Sequence, residues 1–88
     1  MKAKSSKVYK QRVIVQLSGT VPFDMLRYDR CTPARETEAG KLERVAHGSA
    51  SPEDHTVEFL RFAFTPDGPT EARWRSFNCR IVSWEPLS

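Results

Sequence analysis

The sequence predicts an α+β fold: a small three-stranded sheet in β-α-β-α-β order, with helices on one face. Three observations carry this expectation. KVYKQRVIVQLSGTV, residues 7–21, alternates apolar and polar positions and is rich in β-branched residues. Residues 33–46 repeat apolar side chains at helical spacing. HTVEFLRFAFT, residues 55–65, is the strongest apolar segment and reads as the central strand.

In the first strand Val13, Val15 and Leu17 are expected to face the core, and Ser18-Gly19 allows a bend. Pro22 interrupts the strand because it has no amide donor. Asp24 is expected to cap one helical turn, Met25 to Tyr28. In VPFDMLRYD the side chains of Phe23, Leu26 and Tyr28 are expected to lock the strand exit onto the following helix, with Tyr28 partly accessible.

Thr32-Pro33 reads as a helix start, with Thr at the N-cap and Pro in the first helical position. The helix runs from Pro33 to about Ala46. Its apolar stripe is Ala39, Leu42, Val45 and Ala46, and Gly48 ends it. HGSASPED is a loop. In the second strand Leu60, Phe62 and Phe64 share one side, and Val57 and Phe59 the other. Phe62 and Phe64 are expected to be buried.

The stretch TPDGPTEARWRSFNCRIVSW admits two readings. Asp67-Gly68 is a hairpin signal, but the return strand would be some 15 residues long, against a usual 5–6. A short helix from Thr70 to Phe77 places Trp74 and Phe77 on one inward face, with Thr70 as cap and Asn78 in a left-handed closing position. We prefer the helix, followed by a last strand, Cys79–Glu85.

Eighty-eight residues make one domain, read as a flexible basic tail over 1–7 and a folded unit over 8–88. With 39% hydrophobic and 28% charged residues the chain suits a globular fold and not a disordered one. No apolar run approaches the roughly 18 residues of a membrane span. MKAKSSKVYK lacks the apolar stretch of a secretion signal. The expected compartment is the cytoplasm, where Cys31 and Cys79 are reduced thiols.

The net charge is +3, unevenly spread. Lys2, Lys4, Lys7, Lys10 and Arg12 crowd the first 12 residues without an acid. The rest of the chain holds nine bases against eleven acids, so the folded body is slightly acidic.

The chemistry-bearing side chains do not assemble into a catalytic pattern. Asp24 and Asp29 are five apart, off one helical face, and read as a cap and as a surface partner of Arg27 or Arg30. Cys31, His47, His55 and Cys79 lack the close pairing of zinc ligands. The four glycines are isolated, so no phosphate loop and no nucleotide cofactor are expected. No metal and no enzymatic activity are expected either.

FDMLRYDRCTPARETEAGKLER, with EARWRSFNCRIVSW after the Phe-rich strand, resembles small uncharacterised proteins encoded by phages and related mobile elements. The resemblance lies in an aromatic-Asp-Met-Leu-Arg-Tyr-Asp core, a Pro-Ala helix start and an Ala-Arg-Trp-x-Ser-Phe segment, and spans residues 13–84 loosely. It implies a source, and a cytoplasmic location in the host cell, but no catalytic residues. Small phage proteins often act by binding host machinery, anti-defence inhibitors among them.

Two functions are therefore expected in order. The first is a non-catalytic module that binds a host protein or nucleoprotein complex, with Arg27, Tyr28, Asp29, Arg30, Arg73 and Arg75 at its contact surface. The second is a nucleic-acid-binding accessory protein that uses Lys2, Lys4, Lys7, Lys10, Arg12 and Arg80.

Overall fold

In the computed structural model, which describes residues 7–87, the chain folds around a four-stranded antiparallel sheet. The strands are β1 (Tyr9–Leu17), β2 (Cys31–Pro33), β3 (Thr56–Ala63) and β4 (Cys79–Pro86). Three helices join them: α1 (Phe23–Tyr28), α2 (Glu36–Ala46) and α3 (Glu71–Arg75), with a 3-10 turn at Pro52–His55. The sheet order is β2-β3-β1-β4. Each of the connections β1-α1-β2 and β3-α3-β4 skips one strand position. This is a split β-α-β arrangement used twice, with α2 inserted between β2 and β3.

The α+β class stands; the three-strand order does not. The missed strand is β2, in the residues read as a helix start. Cys31, Thr32 and Pro33 pair with Arg61, Leu60 and Phe59 of β3. β2 lies at the sheet edge, where a proline without an amide donor is tolerated. Helix α2 consequently begins three residues after Pro33. Its N-cap, Arg35, is extended and makes no side-chain cap bond. The helix ends as expected: Gly48 takes a φ of +73°, and Ser49 N donates to Arg44 O at 2.9 Å.

The helix expected over residues 70–77 is present but shorter, Glu71–Arg75, with Ser76 as its C-cap and Phe77 in the turn beyond. Thr70 occupies the N-cap position of α3, without a side-chain bond, and Asn78 adopts a left-handed φ of +69°. Asn78 then ties α3 back to the end of β1, accepting from Ser18 N at 2.9 Å and donating from Nδ2 to Thr20 O at 3.0 Å.

One face of the sheet carries the core. Val13, Val15 and Leu17 of β1 lie beside Val57 and Phe59 of β3 and Cys79 of β4, all buried. Met25 and Leu26 of α1 and Trp74 of α3 close over them, and Leu42 and Val45 of α2 pack at the side. The Phe59 and Trp74 rings meet edge to face, with centroids 5.8 Å apart. β4 keeps its apolar residues on this face through a bulge: Ile81 pairs with Val15 and Ser83 with Ile14, which leaves Val82 as the extra residue.

Four expectations on apolar and acidic side chains are corrected here. On β3 it is Val57 and Phe59 that point inward. Phe62 is half-buried on the opposite face and Phe64 is 53% exposed. Phe23 and Tyr28 are exposed, so α1 is anchored by Met25 with Leu26. Asp24 does not cap α1, whose N-cap is Pro22. Asp29 is no surface partner of Arg27 or Arg30; it turns inward to Trp74 and Arg61.

Candidate binding groove

Between α1 and α2 runs an open groove of about 700 Å³. Its walls are Val21, Phe23 and Leu26 on one side and Leu42 and Ala46 on the other, with Pro33 at one end. Ala39 and Gly40 leave the α2 backbone close to the surface there. Phe23 is 79% exposed at the rim, a costly position for an aromatic ring facing water alone.

The groove edge is acidic. Glu36 and Glu43 line it from α2, and neither takes part in a salt bridge among the described residues. They are seven residues apart, two helical turns, so their Cα atoms stand about 10 Å apart along one face. His47 closes the same edge.

The α2 wall of the groove is tied to the sheet from behind. Glu38, buried on α2, accepts from Glu58 N at 2.8 Å and from Lys41 Nζ at 3.2 Å, and Lys41 also donates to Thr56 O at 2.9 Å. These bonds satisfy the stretch of the β3 edge that the short β2 leaves uncovered. Burial pushes the Glu38 carboxyl up, but the Glu58 amide and Lys41 outweigh it and hold it below the usual carboxylate range. At the far end of α2, Arg44 grips Asp54 through two bonds of 2.9 and 2.8 Å, and Ser51 N donates to the same carboxylate at 2.9 Å. The Arg44 bond, then the Ser51 amide, hold the Asp54 carboxyl well below its ordinary range.

A second polar cluster ties the other elements together. The Trp74 indole N–H donates to Asp29 Oδ2 at 2.5 Å. Arg61 Nε stands 3.0 Å from the same oxygen as an ion pair, off the line of a hydrogen bond. Arg61 Nη1 donates to Gln11 Oε1 at 2.7 Å, and Gln11 Nε2 to Asp67 O at 2.8 Å. Every member is thus occupied by a neighbour, so the cluster is a joint between α1, α3 and the central strands.

The residues singled out in the sequence scatter over several surfaces. Arg27 is exposed on α1. Tyr28 is 62% exposed, with the Arg73 guanidinium 4.6 Å above its ring. Arg75 leans to Glu71 at 3.8 Å on the other side of α3. Arg30 lies over the Phe64 ring at 4.3 Å, and Lys7 over Tyr9 at 4.9 Å. Lys10 is exposed, Arg12 bridges Glu58 and Glu85 at 3.3 and 3.4 Å, and Arg80 donates to Gln16 at 3.0 Å. Lys2 and Lys4 lie outside the described residues.

The groove itself escaped sequence reasoning. Its signal was present in the α2 stripe: Ala39 and Ala46, read as core, are exposed. Small residues two turns apart on a short helix mark a face that a neighbour can approach closely.

Among the described residues no three His, Cys, Asp or Glu side chains come together as metal ligands, and no helix is long and apolar enough to cross a membrane. Both cysteines are free thiols. Burial pushes the Cys79 thiol up to about 12, and burial together with Asp29 raises Cys31 further, so neither is an activated nucleophile. The fold and these surfaces define a small α+β protein with a split β-α-β sheet. Comparisons with known protein families, with curated proteins and with solved structures found no match.

Proposed function

We propose that the protein is a non-catalytic binding module that holds an amphipathic helical segment of a partner protein in the α1–α2 groove. The observation that carries this reading is the groove's composition: apolar walls with a protruding Phe23, and an acidic edge at Glu36 and Glu43. An apolar cleft rewards a partner that brings one apolar face. The two acids, two helical turns apart on α2, select basic residues at a similar spacing along the rim of that face. In line with the resemblance to phage-encoded proteins, the partner belongs to a host complex.

Selection from a random peptide display library against the wild-type protein tests this reading. The expected winners carry apolar residues at i, i+3/i+4 and i+7, flanked by Lys or Arg. Phe23→Asp should abolish their binding without unfolding the protein, since Phe23 is exposed. Glu36→Lys with Glu43→Lys should reverse the charge preference. Winners that ignore both changes would place binding elsewhere and overturn the proposal.

A further inference from the structure

Among the described residues the sheet face opposite the core carries no helix: α1, α2 and α3 all contribute to the one core on the inner side. At the end of this open face where β1 begins, four side chains gather. Lys10 pairs directly with Phe62 across the two central strands, so both point outward together. Two residues beyond Phe62, Phe64 is 53% exposed, and the Arg30 guanidinium lies 4.3 Å above its ring. Arg30 is fixed there by its left-handed φ of +55° and by the bond from Phe62 N to Arg30 O, at 3.0 Å.

The charge at this place is one-sided. The acids of the open face, Glu58 and Glu85, are both engaged by Arg12, and Glu58 also by Arg35 at 2.7 Å. Lys10 and Arg30 take part in no salt bridge among the described residues. Lys7, exposed, precedes Tyr9 at this same end, where Tyr9 pairs with Ala63.

From this juxtaposition we infer that the Lys10–Arg30–Phe62–Phe64 end of the open sheet face binds single-stranded nucleic acid. Exposed aromatic rings and a guanidinium plane offer stacking surfaces for unpaired bases. Lys10 and Arg30 meet the phosphates. A duplex, with its bases already stacked, gains only the phosphate contacts. An apolar self-association surface would place no unneutralised basic side chains at its centre. The inference stands on residues separate from the α1–α2 groove.

The test is fluorescence anisotropy with labelled oligothymidylate and oligouridylate, and with a labelled duplex as control. Single strands should bind more tightly than the duplex, with log affinity falling by about 0.7 per phosphate contact for each tenfold rise in salt. Phe64→Ala should weaken binding by about 5- to 150-fold, the range of one lost base stack. Lys10→Gln should make the salt slope shallower by about 0.7. Arg30→Asn, which keeps a residue tolerant of the left-handed backbone, should lower both affinity and slope. Phe23→Asp in the groove should change none of these. No single-strand binding at low salt would overturn the inference. So would equal affinity for the duplex, or binding that Phe64→Ala leaves intact. Sedimentation showing a dimer that Phe64→Ala dissociates would also overturn it, by assigning the face to a second copy.

Discussion

Trp74 donates its indole N–H to Asp29 Oδ2 at 2.5 Å, across 45 residues of sequence, and so fastens α3 to the turn that follows α1. The ring is completely buried, and Arg61 holds the same carboxylate from β3. Trp74→Phe keeps most of the packing and removes the donor. It should lower stability by about 1.5–3 kcal/mol, the range for a hydrogen bond to a charged group. Asp29→Ala should cost about 3 kcal/mol or more, because it also strands the Arg61 charge, whose side chain is only 13% exposed. Denaturant titration of the two variants and their combination should show losses that do not add.

The orientation of β3 separates its phenylalanines. Phe59→Ala opens a cavity in the core and should cost about 3–5 kcal/mol. Phe64→Ala, on an exposed ring, should stay within about 0.5 kcal/mol of wild type. Urea midpoints that rank the two the other way would mean that β3 presents its opposite face to the core.

Acid should loosen α2 first. Asp54 and Glu38 both have carboxyls held below their ordinary range in the folded chain. A depressed pKa stabilises the fold above the unfolded value, about 4 for these groups, and that contribution is lost as pH falls through the folded value. Stability should therefore hold from neutral pH down to about 4 and decline below it. Asp54→Asn should melt lower at pH 7 and show a shallower acid decline than wild type. Melting curves over this range check both, and an unchanged acid limb would remove Asp54 from the account.

Gly68 is required by a close approach. A Cβ at this position would stand 2.3 Å from Trp84 Cε2, so the ring lies directly on the glycine backbone. Gly68→Ala should cost about 1–3 kcal/mol by overpacking. The penalty should shrink in a Trp84→Ala background, where the space is free, and thermal melts of the four proteins form the cycle. An undiminished penalty in that background would point to the backbone of Gly68 and not to the ring.

Local chemistry alone decided much of this protein. The alternation of Val13, Val15 and Leu17 sets the inner face of β1, because a strand repeats every two residues whatever packs on it. The stop of α2 at Gly48 and the closure of α3 at Asn78 follow from the few residue types that tolerate a positive φ. The i, i+3 spacing of Trp74 and Phe77 pointed to a helical turn here, and both side chains do meet the core, although Phe77 falls in the turn just past α3.

Other features were settled only when distant segments met. β2 is three residues long and exists because β3 offers it an edge; nothing in Cys31-Thr32-Pro33 alone outweighs the helix-start signal. β3 has apolar side chains on both faces, so its sequence could not say which face is inner. The choice falls to Val57 and Phe59, which lie beside Val15 and Val13. The broken parity of Ile81, Val82 and Trp84 is resolved by a bulge against β1, which only pairing can place. The same holds for Asp29: a lone aspartate beside arginines reads as a surface charge until Trp74 and Arg61 are brought to it. Periodicity and turn chemistry act within a few residues and are written in the chain. Strand partners, the buried face of a two-sided strand and the groove between two helices depend on contacts between segments tens of residues apart, which the tertiary structure alone supplies.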